Sequence, residues 1–273
     1  MLFRSVNYLL DASRYDTEGY RDHSAARRDH LNGKLKFDAG ARGTLTVVVN
    51  TLDQPETQDP LGLTAAQVAQ NPRQAGTNAL AFNTRKSVAQ NQAGVVYDLE
   101  LAPQNTLQAR LYHGDRQVTQ FLAIPLATQA APTHSGGVVD LDRGYGGAGV
   151  RLTHTMSLAG GPLTLSAGID YDHMSEHRTG FINNFGVTGA LKRDEDDTVT
   201  NTDVYTQAEW QLAPRWIAST GVRRSRVRFD SQDYFIAPGN PNDSGAIEFA
   251  KTTPVAGLVF RSEERRVGKE CRL

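Results

Sequence analysis

Residues Leu163 to Asp172 read LTLSAGIDYD, and within them Leu163, Leu165, Ala167, Ile169 and Tyr171 alternate strictly with Thr164, Ser166, Gly168, Asp170 and Asp172. Side chains on a β-strand point to opposite faces at every step, so this stretch builds one apolar and one polar face. A helix would scatter the same residues around its circumference. The stretch is therefore read as a strand with its two faces in different surroundings.

The same period runs outward in both directions. Downstream, Thr202, Val204, Thr206, Ala208, Trp210 and Leu212 alternate with Asn201, Asp203, Tyr205, Gln207, Glu209 and Gln211. Upstream, Val95, Tyr97, Leu99 and Leu101 repeat it, as do Leu107, Ala109 and Leu111, and Leu45, Val47 and Val49. About ten strands are predicted, near residues 4–16, 25–37, 44–53, 88–101, 106–120, 144–159, 163–175, 201–213, 216–230 and 251–260. Leu63 to Gln70, LTAAQVAQ, is the single predicted helix; Asn71-Pro72 supplies its stop.

The connections alternate as regularly as the side chains. Short turns fall at Asp38 to Gly43, Ala102 to Asn105, Gly160 to Pro162 and Ala213 to Arg215. Between them lie polar connections near 54–87, 121–143, 176–200 and 231–250, and a shorter one near 18–24. In an antiparallel meander successive turns lie on opposite ends, so this segregation predicts all long loops at one end. Outer-membrane barrels have that form, with short periplasmic turns and long external loops. Trp210 and Trp216 flank the Ala-Pro-Arg turn, where an interfacial aromatic girdle is expected. The fold predicted on these grounds is all-β, part of a transmembrane antiparallel up-and-down β-barrel.

Composition excludes several classes. No apolar run is long enough for a transmembrane helix, and a mean hydropathy of −0.46 is compatible with strands whose second face is wet. A net charge of −1 offers nothing to nucleic acid. The one cysteine, Cys271, rules out a disulfide framework or cysteine-based metal site within the chain. The opening MLFRSVNYLL lacks the features of a signal peptide.

Three motifs invite other readings. Gly144 to Gly149, GYGGAG, matches a dinucleotide fingerprint, but an alternating strand follows rather than a helix. His173, Glu176 and His177 match HxxEH, which binds zinc only on a helix. Asp194 to Asp197, DEDD, reads as a solvated acidic stretch before it reads as a cation site. No catalytic or metal residue and no cofactor is predicted, and the chain is not expected to be an enzyme.

The segments SRYDTEGYRDHSAARRDHLNGKL (from Ser13), LDQPETQDPLGLT (from Leu52), FNTRKSVAQNQAGVVYDL (from Phe82) and LYHGDRQVTQFLAIP (from Leu111) resemble the barrel of TonB-dependent outer-membrane receptors of the ferric siderophore type. That resemblance implies a barrel of about 22 strands, of which some ten are present here, with a plug in its lumen. It also implies residence in the outer membrane of a Gram-negative bacterium, capture of a ferric siderophore by the external loops, and energy from the TonB complex. This chain alone, lacking the plug and most of the barrel, is not expected to transport. The alternatives are a receptor for another scarce nutrient, such as cobalamin, haem or an organic cofactor, and a passive porin or structural barrel.

If the apolar face meets lipid, the opposite face carries Lys86, Arg116, Gln120, Tyr145, Arg151 and Tyr205 near the external ends, and these are the expected ligand contacts. Cationic and aromatic groups suit an anionic or aromatic chelate. Finally, Arg261 to Cys271, RSEERRVGKEC, resembles the in-frame translation of a sequencing-library adapter. Residues 1–260 are read as receptor and 261–273 as a non-native tail.

Overall fold

The computed structural model describes residues 6–262. They form one ten-stranded antiparallel sheet: β1 (Val6–Thr17), β2 (Ala26–Asp38), β3 (Gly43–Gln58), β4 (Arg85–Ala102), β5 (Asn105–Phe121), β6 (Val138–Leu158), β7 (Gly161–Asn184), β8 (Val187–Ala213), β9 (Trp216–Asp233) and β10 (Gly245–Phe260). Three short helices lie in the connections: α1 (Ala65–Gln70), α2 (Thr77–Phe82) and α3 (Leu126–Gln129). Thr64 caps α1 in a capping box with Gln67, which explains its start at Ala65.

Sheet order equals sequence order, β1 to β10, so the chain is a meander with no crossover. The expectation of a barrel is corrected here. β1 pairs only with β2 and β10 only with β9 among the described residues, so the sheet is open and both edge strands expose unpaired backbone groups. Alternation and turn length specify which strands are neighbours. Closure depends on strand number and shear, and neither is written in a period-two pattern.

The register assembles the apolar face row by row. Val47, Val95, Leu111, Ala148 and Tyr171 are successive cross-strand partners, as are Tyr97, Ala109, Val150, Ile169 and Val204. On β7 the apolar outward residues run from Leu163 to Tyr171 and give way to His173, Ser175 and His177. Nine residues match the length of a membrane-crossing strand. At the short-turn end Trp210 donates from Nε1 to the Leu158 carbonyl at 3.1 Å, and Trp216 packs on Phe260 at 4.8 Å between ring centroids. No helix among the described residues is long and apolar enough to cross a membrane, which leaves crossing by strands untouched.

One predicted loop is strand instead. Residues 176–200 continue β7 and β8 into a long hairpin, closed by Phe185 and Gly186, both at positive φ. That is the backbone of a two-residue type I′ turn. With 24 and 27 residues at about 3.3 Å each, these strands reach roughly 80–90 Å, far beyond the apolar band. The expected tail, residues 261–273, lies outside the described residues except for Arg261 and Ser262. The Arg261 amide donates to the Arg215 carbonyl at 2.8 Å.

Candidate functional site

The polar face is built by the strands' other parity, and its side chains act across glycines. In the row Gly94, Tyr112, Gly147, Asp172 and Asn201, the Tyr112 hydroxyl passes over Gly147 and donates to Asp172 Oδ1 at 2.7 Å. A Cβ on Gly147 would meet Tyr112 Cε1 at 2.7 Å, so the bare backbone is what permits the crossing. One row away Arg110 pairs with Asp170 at 3.1 Å across Gly149. Tyr145 reaches over Gly114 to Gln92 Oε1 at 2.9 Å. The GYGGAG stretch is therefore the floor beneath strand-crossing side chains.

This network continues through Asn201, whose amide donates to Asp172 Oδ2 at 3.2 Å and Asp203 Oδ2 at 2.9 Å. Arg223 then pairs with the buried Asp203. Nearer the long-loop end Arg143 pairs with the buried Glu176, its Nε donating at 2.6 Å. The carboxylates of these pairs are the shielded partners, whereas the arginines stay partly exposed.

The six expected contact residues do not form one site. Lys86 and Gln120 are direct cross-strand partners at the long-loop end. Arg116 lies deeper, opposite Arg143, and donates to Gln90 Oε1 at 3.3 Å. Tyr145 is committed to Gln92. Arg151 and Tyr205 flank Gly168 in another row and share a concavity of about 210 Å³ with Thr164, Ser166, Gln207 and Glu209. That pair sits in the short-turn half, not near the external ends, because parity reports a face and not a height. Among the described residues, Lys86, Arg116 and Arg151 have no ion-pair partner, and Arg116 meets only the neutral Gln90 amide.

Sequence reasoning missed the best-buried part of the molecule, which is the long-loop end. Ala75, Ala79, Phe82, Thr84, Phe121, Gln129, Val138 and Asn183 are buried there. Asn183 stands at its centre: its side-chain amide donates to the Phe82 carbonyl at 2.9 Å and the Leu122 carbonyl at 3.0 Å, and its Oδ1 accepts from the Gly186 amide at 2.7 Å. Gln129 accepts from the Asn183 amide at 2.7 Å and donates to the Asn183 carbonyl at 3.3 Å. Phe185 stacks on Phe82 at 5.5 Å, and the Arg85 guanidinium lies 3.6 Å over the Phe121 ring. Arg21 clamps three carbonyls of the β3–β4 connection, those of Leu61 (2.6 Å), Gln74 (3.0 Å) and Pro60 (3.1 Å).

The zinc and cation readings fail on geometry. On strand β7, His173 and His177 point to one face and Glu176 to the other. Asp194 to Asp197 lie on β8 and alternate faces. Asp196 accepts from His177 at 2.8 Å and from the Tyr234 hydroxyl at 3.1 Å. The hydrogen bond to Asp196 raises the His177 pKa above its ordinary value, and the same bond lowers that of Asp196.

The described residues thus form an open antiparallel meander with one apolar band, one polar face and the long connections gathered at one end. The chain belongs to the family described as TonB dependent receptor-like, beta-barrel, whose model matches residues 11–266. The match runs six residues past the expected boundary at 260. Members of this family are receptors rather than enzymes, and the protein is located in the outer membrane of a Gram-negative bacterium.

Solved structures with the same fold include the ferric citrate transporter FecA in its unliganded form, with a TM-score of 0.75 at 16% identity over 96% of this chain and 38% of that one. The siderophore receptor PiuA from Acinetobacter baumannii superposes with a TM-score of 0.73 at 11% identity, over 96% of this chain and 44% of that one. BauA, the ferric preacinetobactin receptor from the same species, gives 0.71 at 10% identity, over 95% and 41%. The chain thus spans less than half the length of these proteins.

Proposed function

We propose that the receptor containing this chain takes up a ferric siderophore or a similar scarce nutrient across the outer membrane, driven by the TonB complex. The observation that carries this reading is the distribution of charge on the polar face. Arg110, Arg143 and Arg223 are each neutralised by a carboxylate, whereas Lys86 and Arg151 are unpaired and Arg116 meets only a neutral amide. Uncommitted cations at successive depths below the loop end offer an anionic chelate charge-assisted bonds along its path. Gln120, Tyr145 and Tyr205 add polar and aromatic surface beside them. The apolar band on the other face meets lipid, with Trp210 and Trp216 at its short-turn margin.

The test is uptake of radiolabelled ferric citrate and of a ferric catecholate by cells whose only such receptor is the full-length protein, with TonB present or deleted. TonB-dependent uptake of either chelate is expected. Uptake that persists without TonB would assign a passive porin. Binding of cobalamin or haem, with neither ferric chelate bound, would move the substrate to another nutrient. We propose in addition that residues 261–273 are not part of the natural protein.

A further inference from the structure

We propose that the long-loop end is a single pre-assembled cap keyed by Asn183, so that the β1–β2, β3–β4 and β5–β6 connections and the β7–β8 tip move as one body. This goes beyond the uptake reading and does not depend on which ligand is carried.

Loops that act separately pack on their own stems. These four pack on one another, and the atoms that join them are backbone carbonyls, which recur whatever the loop sequence. Asn183, from the β7–β8 hairpin, is fully buried and spends both amide hydrogens on two other connections, at Phe82 and at Leu122. Gln129 of α3, equally buried, returns two bonds to the Asn183 backbone and one to the Ile124 carbonyl at 2.5 Å. The β1–β2 connection enters through the Arg21 clamp and through His23, whose Nε2 lies 2.8 Å from the Thr84 carbonyl. Thr84, also buried, bonds in turn to the Asp59 carbonyl at 2.5 Å. Lys192, back on β8, donates to the Ala131 carbonyl at 2.9 Å.

Breaking one buried link of such a set exposes or orphans several polar groups at once, which is why the set opens together or not at all. Phe185 adds an apolar link to the polar ones. It holds a left-handed φ of 50°, unfavourable for an aromatic residue, where its ring stacks on Phe82 of another loop. The two-residue turn imposes that φ, and it carries the ring outward onto the neighbouring connection.

Hydrogen exchange on the purified full-length receptor in detergent micelles, with no ligand or TonB, tests this. Asn183→Asp keeps an acceptor for the Gly186 amide and removes both donors. It should speed exchange about tenfold in residues 77–84 and 122–130 together, the scale of losing buried hydrogen bonds. Thr64→Ala, which removes the α1 cap and none of the bonds between connections, should leave exchange in residues 122–130 unchanged. In the opposite direction, Phe82→Cys/Phe185→Cys joined by a short bismaleimide should slow exchange in residues 122–130, although neither cysteine lies there. Faster exchange confined to 181–192 in Asn183→Asp, or no change at 122–130 after cross-linking, would overturn the proposal. Either failure would leave the uptake reading standing, since no readout here involves a ligand.

Discussion

Tyr112 and Asp172 are joined side chain to side chain at 2.7 Å although their strands, β5 and β7, are not neighbours. Gly147 on the strand between them is the whole reason. Gly147→Val would put a branched side chain into the space of the Tyr112 ring, and a cost of about 1–3 kcal/mol is expected from overpacking. Tyr112→Phe keeps the ring over the glycine and removes the bond, so it should cost about 1–2 kcal/mol. Urea unfolding of the receptor refolded into lipid bilayers measures both. A neutral Gly147→Val would show that the crossing is incidental.

The pair of His177 and Asp196 predicts a pH dependence at the hairpin. The His177 pKa is raised in the fold, so its stabilising contribution is fully present below its ordinary value of 6.5 and is lost as pH rises through the folded value. The Asp196 pKa is lowered, so its contribution is present above its ordinary 3.8 and is lost as pH falls through the folded value. The bond is therefore strongest between about pH 4 and 6.5. Exchange protection around Tyr234 should peak in that window in the wild type and be flat in His177→Ala. A flat wild-type profile would remove the pair from any account of this region.

Arg151→Ala is expected to weaken binding of a ferric chelate by about 1.5–3 kcal/mol, or roughly 10- to 150-fold, if the guanidinium makes a partly desolvated charge-assisted bond. Arg116→Ala should cost a similar amount, because a guanidinium has five N–H donors and only one is engaged, with Gln90. Equilibrium titration of full-length protein with ferric citrate and a ferric catecholate compares the two. Unchanged affinity in both variants would return these arginines to the role of solvated charges.

The C-terminal prediction needs only DNA. Independent sequencing of the locus should give a different and longer continuation after Phe260. Recovery of RSEERRVGKEC within a longer reading frame of the same family would end the adapter interpretation.

How much of this was legible depends on whether a residue's two sides differ in solvent. Leu163 to Tyr171 were readable because one side is apolar and the other wet, and their strand follows directly. Residues 176–200 have polar surroundings on both sides, so no alternation marked them, and the strands continue there unannounced. The depth of Arg151 and Tyr205 was hidden for a related reason: period two distinguishes faces, and height needs the register with other strands. Openness of the sheet is a global property that no local stretch encodes. Asn183 and Gln129 left no signal either, since their partners are backbone carbonyls that any sequence supplies.

Every strand pairing in the sheet joins segments adjacent in sequence, so the meander is a fold of low contact order and its hairpins can zip in succession. The bond from Asn183 to Phe82 is different in kind, closing over 101 residues of chain. It can form only after β4 to β7 have all found their register, because a slip of one residue in any of them would turn or displace one of its ends. The buried asparagine is consequently a checkpoint on assembly. A sheet mispaired anywhere between those strands leaves the amide with no carbonyl to meet, and the error is exposed as an open, protease-accessible loop end.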